Sequence, residues 1–182
     1  AIWMRLLDRV PGSVLWLFED NPTASKNLRQ EAQARGVDPS RLVFAPRWPL
    51  AEHLARHRLA DLFIDTWPYN AHTTASDALW AGLPLVTRSG KSFASRVAAS
   101  LLKAVALEEL ITNSDDAYET LAIKLAQHPQ DLQVVKEKLA ANRLTHPLFD
   151  SERFTRHLEQ AYVQVMQRHW AGQDPEHLKI DA

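Results

Sequence analysis

The sequence predicts an α/β fold, a parallel sheet with helices packed on both faces, and three observations lead there. Short unbroken apolar runs recur along the chain: SVLWLF at 13–18, LVFA within 41–45 and LFI at 62–64. Such runs mark strands buried on both faces. Between them lie stretches whose apolar residues fall three and four apart, the spacing of helices. Glycine and proline punctuate the joints, as at Pro11-Gly12, Gly36 and Gly82, where helices stop and turns begin. Alternation of this kind builds a Rossmann-like sheet, whose ligands gather beyond the carboxyl ends of its strands.

The elements follow in order. Residues 2–10 have helical spacing and stop at Pro11-Gly12, and residues 13–18 form the first strand. Asn21-Pro22-Thr23 opens a helix that ends at Gly36, since proline suits a first helical turn and glycine the position past the last. Residues 41–45 are the second strand, Pro49 opens a short helix through Leu54 and His57, and residues 62–64 are the third strand. A helix over 73–81 leads to a fourth strand at 84–87. Residues 92–106 read as one helix, with Phe93, Val97, Leu101 and Val105 on one face, before a short fifth strand at Leu110-Ile111. Helices over 115–127 and 131–142, separated by Pro129, precede a long helix that starts at Asp150 or Ser151 and is closed by Gly172. The domain reading is a Rossmann-like lobe over 1–149, a C-terminal helix over 150–172 and a polar tail over 173–182 that is expected to fray.

Composition narrows the possible functions. A length of 182 residues suits one domain or one large lobe, and 46% hydrophobic residues supply its core. A net charge of −1 gives no global attraction to nucleic acid or membrane surfaces. The absence of cysteine excludes disulfides, thiolate zinc sites and thiol nucleophiles. No apolar run approaches the length of a membrane span. The chain opens on Ala1-Ile2-Trp3, with neither a signal-peptide pattern nor an initiator methionine. A cytoplasmic fragment that begins inside a helix, its first strand lying upstream, is the expectation.

The chemistry concentrates between Asp61 and Asp77. Here the run LFI passes into a loop bearing Pro68 and Asn70, then into His72-Thr73-Thr74 at a helix start. The first amides of a helix lack intrahelical acceptors and the helix dipole favours negative charge there, so this corner suits an anion. Two hydroxyls and an imidazole add donors, which makes a diphosphate the expected occupant. A purely structural reading stands beside it: Thr74-Ala75-Ser76-Asp77 fits a capping box, with Thr74 capping the helix and Asp77 reaching back.

The other loops at the same edge carry Phe18-Glu19, Pro46-Arg47-Trp48 and Arg88-Ser89-Gly90-Lys91. Aromatics there suit a base, and cations and hydroxyls suit phosphates. With five glycines and neither a GxGxxG nor a P-loop pattern, dinucleotide dehydrogenases and P-loop enzymes are disfavoured. A nucleotide-sugar site fits better. Trp16, Trp80 and Trp170 read as packing residues, and Trp67 either packs or flanks a ligand.

The run from His72 to Thr87, HTTASDALWAGLPLVT, closely resembles the nucleotide-binding lobe of the O-linked N-acetylglucosamine transferases. So do Ala94-Ser95-Arg96-Val97-Ala98-Ala99-Ser100 and Pro11-Gly12-Ser13-Val14-Leu15-Trp16-Leu17 and, more loosely, Pro147-Leu148-Phe149. The resemblance implies the C-terminal lobe of a two-lobed GT-B glycosyltransferase. It implies transfer of N-acetylglucosamine from UDP-GlcNAc to Ser or Thr hydroxyls of proteins, with inversion and without a metal or other cofactor. Related donors, UDP-glucose or GDP-fucose, and a non-catalytic protein-binding lobe are the alternatives.

By the same resemblance, His72, Thr73 and Thr74 hold the diphosphate and Asp77 sits near the ribose. His53 and Arg56 contact uracil, the backbone around Trp48 reads the base edge, Phe18 lines that pocket and Tyr69 passes close to the sugar. Leu50 stands where the family often has a lysine. The family's diphosphate lysine, its catalytic base, its N-terminal lobe and its tetratricopeptide repeats fall outside this chain, so no catalytic residue is assigned within it. The implied partners are the donor and a protein acceptor, with no nucleic acid and no membrane.

Overall fold

A computed structural model describes residues 2–180, so the expectations for Ala1, Asp181 and Ala182 lie outside the described residues. The elements run α1 Ile2–Arg9, β1 Leu15–Phe18, α2 Pro22–Ala34, β2 Leu42–Ala45, α3 Leu50–Arg56, β3 Phe63–Ile64 and α4 Thr73–Ala81. They continue as β4 Leu85–Arg88, α5 Val97–Ala104, β5 Ile111–Thr112, α6 Asp115–Gln127, α7 Pro129–Asn142 and α8 Ser151–Trp170. The α/β alternation is the one expected from the apolar runs. Gly36, Gly82 and Gly172 all carry positive φ at helix ends, the left-handed cap that glycine adopts without a Cβ clash.

Every strand pairing is parallel, but the ladder is in two pieces. β1 pairs with β2, and β3-β4-β5 form a second sheet. The halves meet through side chains. Ile64 of β3 packs against the cluster of Met4, Leu7, Leu15 and Leu42 and also against the larger cluster around Leu79, Leu85, Leu102 and Leu139. Helix α1 bridges them from the side: Met4 and Leu7 face β1, while Leu6 packs with Ala122 and Ile123 of α6. The guanidinium of Arg5 donates to Glu119 at 2.6–3.0 Å across the same seam.

The helix expected over 92–106 is shorter than its spacing implied. Residues 92–96 form turns, α5 begins at Val97, and Phe93 is exposed instead of sharing a face with Val97 and Leu101. The reason is tertiary. Ser95 turns its hydroxyl back to the Ser92 carbonyl at 3.0 Å, and the Ala94 carbonyl accepts the Asn70 amide at 3.0 Å. A helix through 92–96 would spend those groups on itself. Trp170 also departs from expectation. It is 75% exposed, and α8 buries none of its residues among those described. Its last turn is held by Arg168, which bonds Glu176 and the Asp174 carbonyl and folds residues 174–176 back on the helix.

Candidate functional site

Three loops meet at the carboxyl edge of the strands, and α4 starts among them. His72 is the residue preceding its first turn, at φ −110° and ψ −93°, and its side chain makes no capping bond. Its carbonyl accepts the amides of Ala75 and Ser76, both at 3.1 Å. The amides of Thr73 and Thr74 have no acceptor among the described residues, and neither do their hydroxyls. The capping box expected at Thr74 and Asp77 is therefore not formed. The helix opens two residues earlier than a Thr74 cap would have it, with His72 in the capping position, placing Thr74 inside the first turn with its hydroxyl free. That leaves two amides and two hydroxyls at the positive end of a nine-residue helix.

The imidazole of His72 stacks on Tyr69 and meets Phe93 edge-on at 5.9 Å. Its Nε2 lies 3.4 Å from the Ala94 carbonyl. These neighbours fix the ring beside the helix start while the tips of Tyr69 and Phe93 stay exposed.

Beneath this corner sits Asp65, the residue that directly follows β3. It is 4% exposed. One carboxylate oxygen accepts the amides of Thr66 at 2.8 Å and Ala71 at 2.7 Å, and the other accepts the Thr87 hydroxyl at 2.6 Å. Burial pushes this carboxyl above its ordinary range, while the three bonds and the nearby His72 pull against it. Tyr118 donates its hydroxyl to the Asp65 carbonyl at 2.8 Å, and burial raises that phenol well above its usual value. Asn70, 1% exposed, donates through Nδ2 to the Thr66 carbonyl at 2.7 Å and the Arg88 carbonyl at 3.4 Å. The sequence signal for Asp65 was a polar side chain directly after an apolar run, and for Asn70 a turn-favouring residue in the loop that follows.

Trp67 packs, and it also borders an open cavity. Its indole lies under the Arg88 guanidinium at 4.1 Å and so close to Gly90 that only a glycine fits there. Arg88 also pairs with Asp115 at 2.5 Å. Beside them, a cavity of about 470 Å³ opens between the start of α1 and the ends of β3 and β4, lined by Ile2, Trp3, Asp65, Trp67, Arg88 and Tyr118.

The second cluster lies on α3. Arg56 is buried, donates to the Pro46 carbonyl at 2.8 Å and to His53 Nδ1 at 2.7 Å, and sits 5.4 Å from the Trp48 ring centroid. Burial, then the charges of His57 and Arg56, lower the His53 pKa, while Asp77 raises it. A neutral His53 that accepts on Nδ1 carries its proton on Nε2, leaving one donor for a ligand. Asp77 acts on His53 because α3 packs against α4. Trp48, His53, Arg56 and Asp77 are thus brought into one neighbourhood, with half of Trp48 open to solvent. Phe18, at the end of β1, is 49% exposed at the same sheet edge, where the Glu19 amide bonds the Ala45 carbonyl at 2.8 Å.

Among the described residues, no group of three or more His, Asp or Glu side chains is arranged to hold a metal ion. No helix among them is long and apolar enough to cross a membrane.

The chain is similar to known proteins over nearly all of its length. The profile of glycosyl transferase family 41 matches residues 1–158. A probable UDP-N-acetylglucosamine–peptide N-acetylglucosaminyltransferase of Arabidopsis thaliana, SEC, is 40% identical over 179 residues, 98% of this chain and 18% of that protein. A UDP-N-acetylglucosamine–peptide N-acetylglucosaminyltransferase of Caenorhabditis elegans is 34% identical over 177 residues, 97% of this chain and 15% of that protein. A mutant O-GlcNAc transferase of Thermobaculum terrenum superposes with a TM-score of 0.83 at 32% identity, over 88% of this chain and 32% of that one. The chain therefore spans less than a fifth of either curated relative.

Proposed function

Since the chain belongs to glycosyl transferase family 41, we propose that it is the donor-binding lobe of an inverting, metal-independent GT-B glycosyltransferase. The donor is UDP-GlcNAc and the acceptors are Ser and Thr hydroxyls of proteins. The observation that carries this reading is the start of α4, where the amides and hydroxyls of Thr73 and Thr74 stand free beside the imidazole of His72.

The chemistry follows from charge. The acceptor oxygen attacks the anomeric carbon from the face opposite UDP, the bond from that carbon to the β-phosphate oxygen breaks, and the electron pair leaves with UDP. The acceptor's proton goes to a base outside this chain. The departing diphosphate gains negative charge as the bond breaks, and fixed donors stabilise it without reorganising. Thr73, Thr74 and His72 supply such donors. Trp48, His53 and Arg56 take the uracil, with Phe18 along the pocket wall, Asp77 takes the ribose, and Tyr69 lies by the sugar. A lobe over 1–149, followed by the helix over 150–172 and the polar tail over 173–182, is the domain arrangement this implies. The unbonded edges of β1 and β3 support one further parallel strand between them, supplied by chain ahead of Ile2.

The test is calorimetry and donor hydrolysis on the intact polypeptide that carries this chain, with UDP, GDP and a panel of nucleotide sugars. UDP binding with turnover of UDP-GlcNAc is expected. GDP in place of UDP would move the reading to a fucose donor, and preference for UDP-glucose would change the sugar. No nucleotide affinity at all would leave a protein-binding lobe.

A further inference from the structure

We infer that Asp65 is a positioning residue for the donor phosphates, acting through the Ala71 amide to fix where α4 begins; this rests on the α4 start being the phosphate seat. The loop from Thr66 to Ala71 leaves β3 and returns to the same carboxylate oxygen, which accepts the amides of both its ends. Ala71 is the residue before His72. One oxygen thus sets the distance from the sheet to the imidazole and to the free amides of Thr73 and Thr74.

Asp65 is itself anchored on three sides. Its amide donates to Val86 at 3.1 Å, its carbonyl accepts from Tyr118, and its second carboxylate oxygen accepts from Thr87 of β4. Asn70 ties the other flank of the loop, joining the Thr66 and Arg88 carbonyls through its side chain and the Ala94 carbonyl through its amide. The exposed tip at Pro68 and Tyr69 is free to meet a ligand while the base of the loop stays in register with the sheet.

The chemical demand at Asp65 is for acceptors. Asparagine meets most of it: its carbonyl oxygen keeps both loop amides, and its NH2 donates to the Thr87 hydroxyl, which rotates to accept. Alanine meets none of it. Because a displacement of about 1 Å at a reacting centre costs on the order of a hundredfold, the two variants should separate widely.

The experiment measures UDP affinity by calorimetry, kcat and KM for UDP-GlcNAc, and thermal melting in the intact polypeptide for wild type, Asp65→Asn, Asp65→Ala and His72→Ala. The expected result is kcat within about threefold of wild type for D65N and about a hundredfold lower for D65A, with cooperative melting in both. A folded D65A that keeps wild-type kcat and UDP affinity overturns the assignment. If D65A does not fold, Thr87→Val decides, because it removes a single anchor: kcat about tenfold lower supports the role, and unchanged kcat ends it. Failure of the phosphate seat itself looks different, since H72A would then bind and turn over like wild type whatever Asp65 does.

Discussion

The imidazole of His72 lies against the phenol ring of Tyr69, with centroids 5.0 Å apart and planes 20° from parallel. An aromatic pair of this kind contributes about 1 kcal/mol beyond its buried area, enough to hold one ring orientation but far less than a fold needs. The stack therefore bears on what His72 does for a ligand and little on stability.

His72→Ala should accordingly leave the melting temperature within a few degrees of wild type and lower kcat for UDP-GlcNAc about a hundredfold, the usual cost of losing one preorganised donor, about 3 kcal/mol. Stopped assays on the intact polypeptide beside a melting curve check this. A severe drop in stability, with the surviving folded enzyme turning over normally, would make His72 a structural residue.

His53 gives the pH dependence a definite sign. Its pKa in the folded chain is lowered, chiefly by burial, while in the unfolded chain it protonates near 6.5. The unfolded state therefore takes up a proton first as pH falls. The stability held by neutral His53 is complete above about pH 6.5 and is lost as pH drops through the lower folded value. Protonation also sets the ring against the guanidinium of Arg56, which now donates to it. Urea midpoints measured between pH 7.5 and 5 should fall with acidity, and His53→Gln should flatten that slope. An unchanged slope in H53Q would assign it to other groups.

Gly90 should be the least replaceable glycine of this edge. A Cβ there overlaps the Trp67 ring and comes within 2.6 Å of the Ser95 hydroxyl. Gly90→Ala should destabilise by about 1–3 kcal/mol, the usual penalty for overpacking. At roughly 2–4 °C per kcal/mol for a domain of this size, the melting shift is easily seen. The double variant with Trp67→Ala should recover part of it, and if it does not, the clash lies elsewhere.

These residues mark what the sequence disclosed. Unbroken apolar runs announce strands, so LWLF and LVFA were legible as strands, as was the α4 stop at Gly82, but the two-faced burial expected of those runs does not hold at Phe18 and Val43, which are exposed. The polar α4 start, proposed above as the phosphate seat, was legible because a helix start with three polar residues after a strand is a local pattern. Asp65 was not, because its partners lie one, six and twenty-two positions away and converge only once β3 and β4 pair. The turn at 92–96 was hidden for the same reason. Phe93 completes a four-residue spacing, and the Asn70 amide, reached through space, joins the Ser95 hydroxyl in explaining why the chain declines the helix. The burial of Arg56 was not legible either, because the Pro46 carbonyl ten residues back and His53 hold it inside.

The split ladder leads to the last prediction. A strand inside a sheet sends alternate amides and carbonyls to each neighbour, and β4 has a neighbour on both sides while β1 and β3 have one each. Leu15 is buried and Leu17, Phe63 and Ile64 are half-buried, so the unbonded edges of β1 and β3 belong to apolar strands, and pairing them would satisfy backbone groups that otherwise depend on water. In the chain alone, amides of β1 directed away from β2 should exchange with deuterium orders of magnitude faster than those of β4. In a longer polypeptide carrying the residues ahead of Ile2, the same amides should slow to the rate of β4 and the melting temperature should rise. Edge amides of β1 already as protected as those of β4 in the shorter chain would mean that no strand enters between β1 and β3.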